Sequence, residues 1–343
     1  SLNDDAIKKT ASDIFKSTNL AWNQNDINYN EASDEKKITK YDKQIQEVAL
    51  SYQDKYKNSD DKEDRPFIGL RDFYGLIQSL TKPLMSGKIK EKDILTIVRR
   101  NFSGIPFNKE LRNEKTSGII KSSMEKLFKD TDFGENNHFN KLILQNEKPD
   151  KEDAKNVTIY YKMSQLIEDN LNQEHRILKT PIFRHILIST TNAAALLILV
   201  QNKAIKLPHY EDKVDSPYEL FFSTNMSNLP DAEWISNEIR RLTEIMYKGK
   251  IAVFIGKHPC FDSLYDIFNL RYQKEGGDEE LFVALISYGG DSYPTLISSN
   301  FKAIIILESD VYKSLPQPFL NRFEKFNMTY KTELVSSEIS KYE

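Results

Sequence analysis

Ala303-Ile304-Ile305-Ile306-Leu307-Glu308 is a strand-length apolar run that stops on an acid. It shows no in–out alternation, so a strand formed here is buried on both faces, as inside a parallel sheet. Residues 183–189, 218–223 and 251–255 have the same character. Helix-like stretches separate them at 193–201, 231–247 and 261–272, and another, 157–171, precedes the first. Short buried strands alternating with helices predict a parallel sheet wrapped by helices, the plan of α/β nucleotide-binding folds. Residues 281–287 and 293–297 flank Tyr288-Gly289-Gly290-Asp291 and read as a β-hairpin. Gly276-Gly277 at its entrance and Pro294 within it make the hairpin a surface insert outside the main sheet.

The N-terminal part differs. Residues 1–130 are highly charged and carry apolar residues at helical spacing. Ile38, Tyr41, Ile45, Val48, Tyr52 and Tyr56 step by three and four along one face of a long polar helix. Leu70, Phe73, Tyr74, Ile77 and Leu80 repeat the pattern up to Pro83. Further stripes follow at Ile94, Ile97 and Val98, and at Ile119, Ile120, Met124, Leu127 and Phe128. Such helices with short polar joints form a small bundle. Residues 131–156, rich in Asn, Asp, Glu and Lys, read as a linker, and Asn136, Asn137 and His138 as solvated loop. The core then runs over 157–343.

Composition excludes several classes of function. The 343 residues include 48 basic and 51 acidic side chains, a net charge of −3, which lacks the basic excess of a generic nucleic-acid binder. The longest apolar run, 193–200, is far short of the ~20 residues that span a bilayer. A single cysteine, Cys260, allows no internal disulfide and suits a reducing compartment. With Ser1 in place of a Met and no signal-peptide pattern, the chain reads as a piece excised from a cytoplasmic protein.

In an α/β fold of this kind ligands sit at the carboxyl ends of the strands, where helix N-termini offer free N–H groups to anions. The first strand-to-helix turn, Ser189-Thr190-Thr191-Asn192-Ala193, has neither the glycines nor the lysine of a phosphate-cradling loop. It reads as an ordinary turn capped by Thr or Asn, with at most weak anion binding by bare amides. The third strand ends in Gly256-Lys257-His258-Pro259, without the acidic pair that organises magnesium and water. Lys257 and His258 either face a phosphate or belong to a solvated loop. Glu308 closes an acid-ended strand and is a candidate magnesium or nucleotide contact, although it falls late in the strand order. Cys260 follows Pro259 at a helix start, which can lower a thiol pKa, or it is a small semi-buried thiol. The five histidines (138, 175, 185, 209, 258) occupy unrelated contexts, and no hydrolase or zinc motif occurs.

Two arginine segments carry more information. Gly69-Leu70-Arg71 opens a helix in the way of the sensor-2 segment of AAA+ ATPases. Pro318-Phe319-Leu320-Asn321-Arg322-Phe323, just past the acid-ended strand, resembles the AAA+ arginine-finger segment. A guanidinium suits both places because it stays charged and presents a planar fork to phosphate oxygens. Gly69-Leu70-Arg71-Asp72-Phe73-Tyr74, Arg100-Asn101-Phe102-Ser103-Gly104, Ser263-Leu264-Tyr265-Asp266, Asp310-Val311-Tyr312 and Asn321-Arg322-Phe323-Glu324-Lys325 follow one another in the order found in mysterins. The chain thus resembles the mysterin family, giant ring-finger AAA+ ubiquitin ligases built on a ring of linked AAA+ modules.

That resemblance implies an α/β AAA+ type parallel-sheet core preceded by an all-helical lid bundle. Residues 1–130 correspond to the lid of one module and 157–343 to the core of the next. It further implies ATP and magnesium in the parent protein, neighbouring AAA+ modules as partners, and ubiquitin with an E2 enzyme as partners of the whole. Arg322 takes the arginine-finger role, Arg71 the sensor-2 role and Glu308 a nucleotide-binding role. The core departs from the ATPase pattern at its first turn and second acid, so the chain alone is expected to be inactive. The alternative expectations are a stand-alone non-catalytic pseudo-AAA+ interaction module and a small ATPase using Glu308.

Overall fold

The structure is a computed structural model. It describes residues 3–25, 35–57, 70–86, 97, 167, 168, 170, 171, 184–191, 194–201, 217–274 and 281–328. The chain divides into two units, Ser1–Tyr161 and Lys162–Glu343.

The described part of the first unit is three helices, α1 (Asp4–Asn25), α2 (Glu35–Lys57) and α3 (Leu70–Ser86). Each contributes an apolar stripe at helical spacing to a shared core: Ile7, Ala11 and Phe15; Ile45, Val48 and Ala49; Phe73, Leu76, Ile77, Leu80 and Leu84. Asn3 Oδ1 accepts from the Ala6 amide at 2.7 Å and caps α1. Lys16 and Asp42 pair at 2.8 Å between α1 and α2. Lys37 Nζ donates to the Met85 carbonyl at 3.1 Å, near the C-terminus of α3. Helix α3 runs through Pro83, one turn beyond the point where the sequence pattern stops. Burial of Leu84 and Met85 past the proline offsets the amide hydrogen bond that Pro83 cannot donate. Of the later stripes only Ile97 is described, and the linker with Asn136, Asn137 and His138 lies outside the described residues.

The second unit centres on five parallel strands in the order β2–β3–β7–β1–β8. They are β1 (Ile186–Thr190), β2 (Tyr218–Phe222), β3 (Ile251–Ile255), β7 (Lys302–Glu308) and β8 (Glu324–Met328). Ile186 is opposite both Ile304 and Glu324, and Thr190 opposite Glu308 and Met328, so β1 lies between β7 and β8. All of β1, and β7 up to Leu307, are buried, as their unbroken apolar character requires. The helices among these strands are α4 (Ala194–Gln201), α5 (Asp231–Lys248), α6 (Tyr265–Phe268), α7 (Ser309–Ser314) and α8 (Gln317–Leu320). This is the α/β AAA+ architecture with N-terminal helices ahead of it.

One helix expected from the sequence changes, and one strand is added. The helix expected over 261–272 is a 3-10 helix, Pro259–Leu264, followed by the single turn of α6. Leu270, at φ 54°, is left-handed and ends it. Residues 324–325, read as part of an arginine-bearing motif, open strand β8. The helix expected over 157–171 is described only at 167, 168, 170 and 171, all helical.

The hairpin stays out of the main sheet. β4 (Gln273–Lys274), β5 (Leu281–Tyr288) and β6 (Asp291–Ser298) form a separate antiparallel sheet. Gly289 and Gly290, at φ 64° and 92°, give the two-residue turn that matches strand twist. Phe282, Ala284, Ile286, Ile297 and Ser298 are its buried residues, and Tyr288 OH donates to the Ala232 carbonyl of α5 at 2.9 Å.

Candidate functional site

From β1 the chain leaves through α4 towards β2, at one edge of the sheet. From β7 it leaves through α7 and α8 to β8, on the far side of β1. The connections diverge, so the crevice where such folds hold ligands lies beyond Thr190 and Glu308.

Side chains already bridge that crevice. Ser309 Oγ donates to the Thr190 carbonyl at 2.8 Å and lies 3.3 Å from Ser189 Oγ. Thr190 Oγ1 accepts from the Ala195 amide at 3.0 Å, and the Ala194 amide donates to the Thr191 carbonyl at 3.1 Å. A helix N-terminus binds anions through amides left free by its first turn. Both of these amides, of Ala194 and Ala195, are engaged within the chain, while Asn192 and Ala193 of the turn itself lie outside the described residues. Thr190 thus binds an amide of the first turn of α4, and Asn192 is the other capping candidate. Glu308 is exposed at the end of β7, at the N-cap position of α7, and makes no side-chain cap bond there. Among the described residues no three His, Cys, Asp or Glu side chains gather to hold a metal ion.

The end of β3 corrects the reading of His258. It is neither phosphate-facing nor part of a solvated loop; it is buried, while Lys257 beside it is exposed. Its ring lies 5.4 Å from that of Trp234, 5.6 Å from Phe254 and 6.2 Å from Phe221. Nδ1 accepts from the Cys260 amide at 3.3 Å, which leaves the proton of the neutral ring on Nε2, 3.6 Å from Glu238 Oε2. Burial, reinforced by the nearby Arg241 charge, lowers its pKa to about 4. Glu238 does not reverse this, because Arg241 also pairs with it at 3.4 Å. Cys260 is buried too, with Sγ 2.9 Å from His258 Nδ1. Burial and then Glu238 raise its pKa, so desolvation outweighs any help from the helix start and the thiol is not activated.

Gly256 lets the chain turn away from the sheet here. Its φ is 86°, its amide donates to the Ile306 carbonyl at 2.9 Å, and a Cβ would collide with the Ser223 side chain. Gly256→Ala is expected to cost at least about 2 kcal/mol, the left-handed penalty plus the overlap, read as a lower urea midpoint at unchanged m-value.

Arg322 lies at the other edge of the sheet. It precedes β8, whose first residue Glu324 donates its amide to the His185 carbonyl at 2.8 Å, beside the start of β1. Five residues of strand, roughly 15 Å, separate that end of β1 from Thr190 and Glu308. The guanidinium carbon stands 4.4 Å from the Tyr265 ring centre and 5.6 Å from that of Phe319. Arg322 therefore does not serve the crevice of its own core. Arg71 is the second residue of α3 in the first unit, and its side chain lies outside the described residues. Nothing local places Tyr265 beside Arg322, although it falls within one of the mysterin-like motifs, whereas Phe319 precedes Arg322 by three residues in the same segment.

Comparison with known proteins agrees with this architecture. Residues 175–334 match the family model described as the RNF213 AAA domain. All eight strands among the described residues fall within that span. This stretch is similar to an AAA domain of the mysterin (RNF213) family. It is 27% identical over 282 residues to the E3 ubiquitin-protein ligase RNF213 of Mus musculus, covering 81% of this chain and 5% of that protein. The corresponding protein of Homo sapiens is 26% identical over 300 residues, 84% of this chain and 5% of the relative. The rnf213-beta ligase of Danio rerio is 26% identical over 275 residues, 79% and 5%. The chain thus spans about 5% of the length of these mysterin-family relatives, and the likeness extends beyond the AAA domain itself. Among the described residues no helix is long and apolar enough to cross a membrane.

Proposed function

We propose that this chain is a non-hydrolysing stretch of a mysterin-like AAA+ ATPase and ubiquitin ligase that passes nucleotide state between adjacent modules. In this reading residues 1–130 are the lid of one module and carry Arg71 towards its ATP as a sensor. Residues 157–343 are the core of the next module and supply Arg322 in trans to the same ATP. ATP and magnesium belong to the parent protein, as do ubiquitin, an E2 enzyme and the cytoplasmic setting. The observation that carries the reading is the make-up of the turn after β1. Residues 189–193 hold neither lysine nor glycine, and beyond them the Ala195 and Ala194 amides bond Thr190 Oγ1 and the Thr191 carbonyl.

A turn without glycine or lysine does not suit the phosphates of a nucleoside triphosphate, so no catalytic step is assigned there. The 343-residue chain is expected to show no saturable heat of MgATP binding and no release of phosphate. Magnesium-dependent phosphate release that disappears in Glu308→Gln would overturn the reading and make the core an ATPase in its own right.

A further inference from the structure

Tyr265 opens α6 as a 43% exposed residue, and two guanidinium groups rest on its ring. Arg322 lies 4.4 Å from the ring centre and Arg271 5.0 Å. Arg271 reaches the ring because the chain reverses after α6. The Arg271 amide donates to the Asp266 carbonyl at 2.9 Å and the Leu270 amide to the Ile267 carbonyl at 3.0 Å, the paired bonds of a Schellman turn. Glycine normally occupies the left-handed position of that turn; here it is Leu270, at φ 54°. Arg271 also bonds Asp266 Oδ1 at 3.3 Å, which ties that side chain to the helix carrying Tyr265.

The second support of Arg322 is Phe319, which is anchored from behind. Its ring stacks on Phe261 at 5.7 Å and meets Phe268 edge-on at 6.0 Å. Arg322 thus lies against one ring fixed by the core and one ring at the surface. A guanidinium that stabilises charge developing on a phosphoryl group is effective only when it is held in place beforehand. An arginine side chain carries about 2 kcal/mol of rotamer entropy, so something must order it.

We propose that Tyr265 is the positioning residue for Arg322, its ring face holding the guanidinium in the orientation that meets a neighbouring module's phosphate. The proposal rests on the trans-arginine reading above. Its aromatic face, rather than its hydroxyl, does this, because both arginines contact the ring.

The test uses the full-length parent protein and steady-state ATP hydrolysis for Arg322→Ala, Tyr265→Leu, Tyr265→Ala, Tyr265→Phe and the double variant Tyr265→Leu/Arg322→Ala. Tyr265→Leu fills the volume without an aromatic face, and guards against a folding failure of Tyr265→Ala. Tyr265→Leu is expected to lower kcat by about 10- to 100-fold with KM for ATP unchanged, the size of effect that an ångström of misplacement produces. Tyr265→Phe should restore kcat to within about twofold of wild type, since the phenyl ring still offers its π face. The double variant should be no slower than Arg322→Ala, because a positioning residue has nothing left to position. Wild-type kcat in Tyr265→Leu beside a slow Arg322→Ala would overturn the proposal and leave the arginine reading standing. So would a double variant slowed by the product of the two single effects. Wild-type kcat in Arg322→Ala would instead remove the arginine reading itself, and the proposal with it.

Discussion

Arg322→Ala in the full-length protein is expected to slow ATP turnover at the site Arg322 serves by about 10³-fold or more, with nucleotide affinity nearly unchanged. An arginine supplied in trans contributes about 10³–10⁵ to phosphoryl transfer, equivalent to roughly 4–7 kcal/mol of barrier. The structural cost of losing the same side chain is far smaller. Its ring contacts with Tyr265 and Phe319 are part-exposed, and such contacts are worth ~0.5–1 kcal/mol each. The two roles therefore separate by magnitude. A bracing role lowers the melting temperature slightly and leaves turnover intact; a trans arginine lowers kcat by orders of magnitude with little effect on melting. Steady-state hydrolysis measured beside nucleotide binding by fluorescence distinguishes them. Arg71→Ala, at the start of α3, is expected to weaken both binding and turnover.

Acidification is expected to destabilise the second unit by roughly 4 kcal/mol between pH 7.5 and pH 5, through two buried histidines. His185 Nδ1 accepts from the Ala303 amide at 3.1 Å, and Nε2 lies 3.2 Å from the Ile267 carbonyl, so the ring is a bridge in its neutral form. Burial, then the charge of Lys302, lowers its pKa from 6.5 to about 3. His258 is lowered from 6.5 to about 4 by burial and Arg241. With both folded values below the unfolded one, the unfolded chain binds protons first. Their contribution is complete above pH 6.5 and is lost as pH falls through about 4 for His258 and about 3 for His185. At pH 5 each has lost about 2 kcal/mol, 1.5 pH units at 1.36 kcal/mol per unit. His258→Phe keeps the aromatic packing and removes one titration. Urea unfolding at both pH values should show it losing about 2 kcal/mol less than the parent on acidification. An equal acid loss in the two proteins would contradict the account.

The parts of this fold that could be read in advance are those whose information is local. Ile304, Ile305, Ile306 and Leu307 announce a central strand because nothing polar interrupts them. The turn after β1 is visibly lysine- and glycine-free, and Tyr288-Gly289-Gly290-Asp291 carries its own turn chemistry. β8 is hidden because Glu324 and Lys325 look solvated. They are buried through Asn170 Nδ2, 2.6 Å from Glu324 Oε2, and Asn321 Oδ1, 3.2 Å from Lys325 Nζ. Periodicity over 261–272 continues past the point where Leu270 turns left-handed, so the pattern overstates the helix. His258 is desolvated by Phe221, Trp234 and Phe254, two of them on other elements, and no neighbouring residue signals this. Arg322 carries a recognisable local motif, whereas Tyr265 matters only through a contact made across the fold.

The central claim is that this core does not hold nucleotide in its own crevice and lends its arginine to another. The position of Arg322 in an ATP-bound structure of the full-length protein tests it most directly. The account predicts the guanidinium within hydrogen-bonding distance of a γ-phosphate held by the preceding module, with the Thr190–Ser309 bond intact and no nucleotide against it. A nucleotide seated between Thr190 and Glu308, with Arg322 facing solvent, would contradict it.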